Sequence, residues 1–226
     1  HTSIVVNQVF PGGGAYNMEA MITIGGTMLN YGAVRCRFGP LAGRLGTYLN
    51  NTHVVCHKPA FPSIYRLLLG TYPVVVAANG QCFTDHAAAS GSFSTYNALV
   101  SHLDLYGSPS TAQVSLNVIG EGFVPVAGGK CRFTLGPDMT THYDRPIYIH
   151  SPERASCLTP AAGISGAQWL VRLSLNGLTY EPNKFATSNL IFEEYNLGLV
   201  RVTQIDPAGG PVGVSTSVTL TGINFA

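Results

Sequence analysis

The chain has 226 residues, of which 46% are hydrophobic and 10% are charged. The hydrophobic share is enough for a sizeable core, but the charged share is far below the usual level of about 25%. A formal net charge of +1 with no basic cluster argues against a nucleic-acid partner, which needs several cations, and so few charges argue against disorder. The 26 Gly and 14 Pro interrupt the chain every few residues, so long helices are not expected.

Strand patterns dominate along the whole chain. Met21–Gly26, Val114–Gly120 and Val218–Gly222 each alternate apolar and polar residues and end at glycine. This period of two predicts strands with one apolar face. The best helical candidate is Phe61–Leu69, which predicts one short turn. No apolar stretch approaches the ~20 residues of a membrane span, so we expect no span in this segment.

The strand patterns recur in a fixed order. A first copy runs from Val6 to Asn97, a second from Leu103 to Asn196, and a third begins at Val202 and stops at Phe225. The second copy carries an additional stretch at residues 137–152. We therefore predict two units at residues 1–98 and 99–198 and the opening strands of a third at 199–226. Only residues 98–102 and 197–201 link one copy to the next. Links this short predict a semi-rigid string of units.

Six short motifs, P-x-x-GP, V-T-L-T-G-x-N-F, C-R-F-G, C-x-x-P, N-G and F-x-x-Y, define the order that recurs. This order resembles the IPT/TIG family of immunoglobulin-like domains, which occurs in plexins, in fibrocystin-like surface proteins and in long repeat proteins of microbes and algae. The resemblance covers nearly the whole chain and implies an all-β fold of tandem β-sandwiches. The second unit departs from the pattern, because Gly-Ser-Pro replaces the opening motif of the first.

The resemblance also implies one disulfide in each unit, Cys36 with Cys56 and Cys131 with Cys157. The alternation of the strands supports these pairs, because it points the thiols toward the core. Buried free thiols are the alternative. Cys82 is left over, either as a buried apolar thiol or as a cross-link to another chain. Disulfides imply an oxidising compartment, so we expect an extracellular or cell-surface location.

One N-glycosylation sequon is present, Asn50-Asn51-Thr52. An extracellular location favours a glycan on Asn50, and a chance tripeptide that carries nothing is the alternative.

Histidines and acids offer little for a metal site. His53 and His57 lie on one strand about 13 Å apart, too far to share an ion. The polar stretch from Asp138 to Glu153, with His142, Asp144 and His150, allows a weak surface cation site, with a solvated loop as the alternative. We expect no metal and no cofactor.

Catalytic and sugar-binding candidates are equally weak. Glu193 and Glu194 are neighbours on a strand and point to opposite faces, so they do not form an acid/base pair. Trp169 is expected in the core or at a junction between units rather than as a platform for sugars.

Together these features predict a non-enzymatic extracellular structural or adhesive repeat protein, a segment of a filament or surface fibre. The low charge predicts a surface covered by copies of itself, by further repeats of the same chain or by covalent glycans. A ligand-binding receptor ectodomain and an accessory module of a carbohydrate-active enzyme are the alternatives.

Overall fold

A computed structural model describes residues 4–27, 32–40, 42–58, 60, 69–77, 79–83, 91–136, 140–182 and 190–225. These residues form 19 strands and, at Leu197–Leu199, a single turn of 3-10 helix. The helical turn predicted at Phe61–Leu69 falls, apart from Leu69, outside the described residues. Among the described residues, no helix has the length and apolarity that a membrane span requires.

Eight strands lie within residues 5–96 and are named the first sandwich. They are β1 (Val5–Phe10), β2 (Gly13–Ala15), β3 (Ala20–Thr27), β4 (Arg35–Phe38), β5 (Arg44–Asn50), β6 (His53–Lys58), β7 (Gly70–Ala77) and β8 (Ser92–Tyr96). Their order is β1-β3-β6-β5-β4-β7-β8-β2, because β5 pairs with both β4 and β6. The β1-β3-β6 layer packs its apolar side chains against those of β4, β7 and β8.

Nine strands within residues 99–195 form the second sandwich. They are β9 (Leu99–Leu103), β10 (Gly107–Pro109), β11 (Ser115–Glu121), β12 (Lys130–Leu135), β13 (His142–Pro146), β14 (Tyr148–Ser151), β15 (Arg154–Leu158), β16 (Ala167–Ser174) and β17 (Ile191–Tyr195). The sheets are β10-β17-β16-β12-β13 and β14-β15-β11-β9. The remaining strands, β18 (Arg201–Asp206) and β19 (Thr219–Ile223), pair with each other. The predicted all-β sandwich fold is confirmed.

Alternating apolar residues build both cores. In the first sandwich Ile22 and Ile24 on β3 are fully buried, and Ile22 lies opposite Cys56 on β6. In the second sandwich Leu116 on β11 lies opposite Cys157 on β15 in the same way. The structure joins Cys36 to Cys56 and Cys131 to Cys157. Each bond crosses from one layer of a sandwich to the other, between the strands that the resemblance implies.

A tight glycine contact recurs in all three groups of strands. The pairs β1–β3, β9–β11 and β18–β19 are antiparallel, and each contains a register shift. A Cβ atom on the glycine of the second strand would lie within 2.2 Å of a carbonyl oxygen of the first strand. The three contacts are Gly26 with Val5, Gly120 with Leu99, and Gly222 with Arg201. Only glycine fits at so close an approach of two backbones.

Residues 140–152, the described part of the additional stretch, are more regular than the sequence predicts. Instead of a solvated loop, residues 142–146 and 148–151 form β13 and β14. These strands pair with β12 and β15, where β5 pairs with β4 and β6 in the first sandwich. The side chains of β13 and β14 alternate between partial burial and exposure. Because neither face of these strands is fully buried, the sequence shows no clear apolar face from which the strands could be predicted.

Candidate functional site at the junction of the two sandwiches

Tyr96 ends β8 of the first sandwich but packs into the core of the second. It is 1% exposed and belongs to the same apolar cluster as Leu103, Phe123 and Trp169. Its hydroxyl donates a hydrogen bond of 3.1 Å to Oε1 of Glu181, 85 positions away in the chain. A large aromatic side chain of one sandwich is therefore anchored inside the other.

Glu181 receives this hydrogen bond in a nearly closed environment. Its Oε1 also accepts a hydrogen bond of 3.2 Å from the backbone N–H of Leu175, and the residue is 8% exposed. Burial raises the pKa of the carboxyl to about 7, although these two hydrogen bonds work in the opposite direction. Burial, followed by the nearby Glu181 carboxylate, also raises the pKa of Tyr96. The carboxyl is therefore held in the range where physiological pH changes its charge.

An Asn-Gly turn supplies the second polar contact across the junction. Asn176 is 3% exposed, and its Nδ2 donates a hydrogen bond of 3.2 Å to the carbonyl of Gly13 on β2. Its Oδ1 accepts from the backbone N–H of Leu178 at 3.0 Å and of Thr179 at 2.9 Å, which fixes the turn. Gly177 has φ +77, and a Cβ there would lie 2.4 Å from the carbonyl oxygen of Gly128. The turn thus requires glycine at this position.

Close backbone packing completes the junction. A Cβ on Gly13 would lie 2.9 Å from Cγ2 of Val126 in the second sandwich. Ala15, on the same strand as Gly13, packs against the core of the second sandwich. Gly122, with φ +72, approaches the carbonyl of Asn97 so closely that a Cβ would lie 2.1 Å from its oxygen. The two sandwiches are in close contact here, which restricts rotation of one against the other.

The predicted sites at Cys82 and Asn50 both lie at the surface. Cys82 is a free, exposed thiol whose backbone N–H donates to Oδ1 of Asn79, so the interpretation as a buried apolar thiol is wrong. Asn50 lies at the turn between β5 and β6 and is exposed. Its Oδ1 accepts hydrogen bonds of 2.9 Å from both the backbone N–H and the hydroxyl of Thr52.

The structure does not gather the predicted metal candidates. No group of three or more His, Cys, Asp or Glu side chains within the described ranges is placed to bind a metal. Asp144 instead pairs with Lys130 and Arg132. His150 lies 2.7 Å from the hydroxyl of Ser156. Asp138 lies outside the described residues.

Trp169 and the Glu193–Glu194 pair behave as predicted. Trp169 is fully buried, and its ring packs edge-on against Tyr143 with centroids 5.5 Å apart, so its place in the core is confirmed. Glu194 is fully buried and accepts a hydrogen bond from the backbone N–H of Ala162 at 3.0 Å. Glu193 lies on the partly exposed face of the same strand.

The sequence predicts no role for Tyr96, Glu181 or Lys58. Lys58 is fully buried at the end of β6, and its ammonium donates to the carbonyls of Ala15, Tyr16 and Met18 at 2.9, 3.2 and 2.7 Å. Burial lowers the pKa of Lys58 to about 8, against the effect of Glu19. The only sequence feature that hints at this burial is that Lys58 continues the every-second-residue spacing of Val54 and Cys56 on β6. That signal is too weak to predict burial.

Comparison with known proteins adds two distant structural likenesses. No protein-family profile and no curated protein matches the chain. The extracellular region of plexin A4 is similar at 12% identity and a TM-score of 0.46, over 85% of this chain and 18% of that one. SGBP-B of the Bacteroides ovatus mixed-linkage glucan utilization locus, solved in complex with a mixed-linkage heptasaccharide, is similar at 13% identity and a TM-score of 0.33, over 83% of this chain and 44% of that one. This chain thus spans less than half the length of either protein. Neither likeness assigns a function.

Proposed function

We propose that the chain is a non-enzymatic, extracellular structural segment built from tandem IPT/TIG-like sandwiches that a buried junction holds in a fixed relation. The units are those predicted at residues 1–98 and 99–198. The observation that carries the proposal is the burial of Tyr96 of the first sandwich in the core of the second, with its hydroxyl on Glu181. Bending one sandwich relative to the other would expose the Tyr96 ring and break its buried hydrogen bond to Glu181.

The short connection between the sandwiches supports the same conclusion. Residues 97 and 98 alone separate the end of β8 from the start of β9. Freely jointed domains are connected by exposed, flexible linkers, whereas Ala98 is buried in the core of the second sandwich. A chain of such units transmits tension and bending from one unit to the next.

Two disulfides point to an oxidising compartment and hence to a secreted or extracellular protein. The geometry of Asn50 supports a glycan at that position. The side chain is exposed at a turn, and the carbonyl oxygen of its amide already accepts from the hydroxyl of Thr52. This arrangement leaves the amide nitrogen of Asn50, the atom that carries an N-linked glycan, free of that contact.

We further propose that residues 199–226 open a third unit, which packs against another repeat or copy of the chain. The register of β18–β19 matches that of β1–β3, in which strands β4 and β7 cover Val6 and Ile24. The matching residues, Val202 and Leu220, are 50% and 53% exposed. Half-exposed apolar residues on a two-stranded sheet support a covering sheet of the same kind.

Electron microscopy of the native material tests the structural role directly. We expect fibres or rods whose repeat corresponds to a whole number of sandwiches, and mass spectrometry should find glycan on Asn50. Sedimentation of the chain at increasing concentration provides the second measurement. A monomer at all concentrations, with no fibres in the native material, would contradict the proposed assembly.

A further inference from the structure

The outer face of the second sandwich carries opposed basic side chains. In the antiparallel pair β12–β16, Arg132 lies directly opposite Arg172. Cys131, Phe133 and Leu173, which alternate with them, are buried in the core. Because residues opposite each other share one face of a sheet, both guanidinium groups lie on the outer face. Lys130, two positions before Arg132, extends this face. We call Lys130, Arg132 and Arg172 the basic face.

Among the described residues, one carboxylate faces these three cations, and it already forms ion pairs with two of them. Asp144 on β13 accepts from Nζ of Lys130 at 2.8 Å and from Nε and Nη2 of Arg132 at 2.7 and 2.8 Å. The hydrogen bonds from Arg132, and then the one from Lys130, hold the pKa of Asp144 well below its usual range against the effect of burial. Arg172 has no carboxylate partner among the described residues. The face therefore keeps an excess of positive charge.

An aromatic ring holds the two arginines in place. The centroid of the Tyr180 ring lies 5.5 Å from Cζ of Arg132 and 5.8 Å from Cζ of Arg172. Tyr180 follows the turn that Asn176 fixes by its hydrogen bonds. The cation–π contacts orient both guanidinium groups without neutralising them. Like charges directly opposite on a sheet destabilise it, and this repulsion offsets the cation–π contact of Arg172, so Arg172 adds little net stability to the fold.

The first sandwich repeats only part of the arrangement, because it lacks the acid and has Val75 in the place of Arg172. Arg37 lies opposite Val75 on the matching pair β4–β7, and its Cζ lies 4.7 Å from the centroid of the Phe83 ring. The place that Asp144 takes in the second sandwich belongs to Gly43, because Arg44 pairs with Cys36 as Arg145 pairs with Cys131. Within the described part of the chain, Nε of Arg37 is buried and has no hydrogen-bond partner.

We propose that the basic face binds an anionic polysaccharide through its sulfate or carboxylate groups, with Arg172 as the principal contact. The guanidinium group presents paired N–H donors that match the oxygens of such anions. A polysaccharide is the polyanion that fits an extracellular protein. The proposal goes beyond the structural role above, since a rigid rod needs no such contact.

Titration with dextran sulfate, using neutral dextran of equal length as the reference, tests the proposal. We expect the unmodified chain to bind dextran sulfate but not dextran, with affinity that falls as salt rises. Arg172→Ala should weaken binding about tenfold and lower the salt slope by about one. Arg201→Ala removes the same charge from the exposed strand β18 and should leave the affinity within twofold.

Each other result overturns the proposal. Binding that is absent, that also occurs with neutral dextran, or that falls equally in both variants excludes a site at Arg172. The melting temperature of Arg172→Ala separates binding from folding. We expect it to stay close to that of the unmodified chain, because the variant loses the repulsion from Arg132 and the contact with Tyr180 together. A lower value would make Arg172 a structural residue. None of these outcomes bears on the junction at Tyr96.

Discussion

The two sandwiches differ most where a strand passes from one layer to the other. In the first sandwich β5 is continuous and pairs with β4 at its start and with β6 further along. In the second, residue 147 separates β13 from β14, and each pairs with one layer alone. The first sandwich is therefore one continuous sheet folded on itself, and the second is two separate sheets.

A single pair of matching residues accounts for this difference. The backbone N–H of Gly46 donates to the carbonyl of Val34, just before β4, and that of Ile147 donates to Gly129, just before β12. A Cβ on Gly46 would lie 3.2 Å from both sulfur atoms of the first disulfide. Glycine lets β5 pass close over the disulfide, whereas a branched side chain does not fit at that distance. The same order of strands therefore accommodates either a continuous strand, β5, or a divided one, β13 and β14, between the two layers.

Among the changes that probe the two sandwiches, removal of a disulfide should lower the free energy of unfolding most. The bonds close loops of 20 and 26 residues, so replacing either pair by serine should lower the free energy of unfolding of its own sandwich by about 3 kcal/mol. Urea unfolding measures the loss. The single tryptophan, Trp169, lies in the second sandwich and reports on it alone, while circular dichroism reports on both.

The Cys36→Ser/Cys56→Ser variant is the control for the second sandwich. Its urea midpoint, measured by the fluorescence of Trp169, should shift by less than the midpoint of Cys131→Ser/Cys157→Ser. Equal shifts of the fluorescence midpoint in both variants would show that the sandwiches unfold as one body.

The pH dependence of the junction is the next largest effect. Because burial raises the pKa of Glu181 from its usual 4.5 to about 7, the folded carboxyl keeps a proton that the unfolded chain has lost. Unfolding therefore releases a proton between pH 4.5 and 7, and stability should fall as pH rises through this interval, by on the order of 2–3 kcal/mol. Fluorescence of Trp169 in urea, measured across this range, tests the prediction.

Glu181→Gln is the matched variant, because the amide oxygen still accepts from Tyr96 and Leu175 but the side chain does not titrate. It should remove most of the pH dependence, and Glu193→Gln, on the partly exposed face of β17, should not. An unchanged profile in Glu181→Gln would place the titrating group elsewhere.

Gly46→Ala tests the explanation for the continuous strand. The new methyl group would lie 3.1 Å from the carbonyl oxygen of Val55 as well as close to the disulfide. We expect a loss of about 1–2 kcal/mol in the first sandwich from this overpacking. Gly209→Ala, with open space around its Cβ position, should leave stability unchanged. A neutral Gly46→Ala would mean that the crossing has room for a side chain.

Tyr96→Phe has the smallest expected effect. It removes the buried hydrogen bond to Glu181 but keeps the ring, and should cost about 1 kcal/mol. The matched change is Tyr195→Phe, at the equivalent end of β17, where the side chain is partly exposed. We expect no measurable loss there. Equal losses in the two variants would contradict the special role of Tyr96.

Much of the fold was accessible from the sequence because strict alternation marks strands with one buried face. The strands that carry Ile22, Cys36, Cys56 and Leu116 were all predicted from that pattern. β5 was missed because its residues are exposed or partly exposed on both faces. A strand without an apolar face has no period to detect.

The junction could not be predicted for a different reason. Tyr96 and Glu181 are 85 positions apart, and each lies in a motif that was assigned only to its own unit. Contacts between units depend on how the units are oriented, and local periodicity carries no information about that. The burial of Lys58 was hidden likewise, because its acceptors are backbone carbonyls that any sequence supplies.

Residual dipolar couplings of backbone amides, measured on the whole chain in a weakly aligned medium, test the rigid junction most directly. We expect one alignment tensor to fit the couplings of strands β1–β8 and β9–β17 together. Separate tensors of different magnitude for the two sandwiches would show independent motion and contradict it.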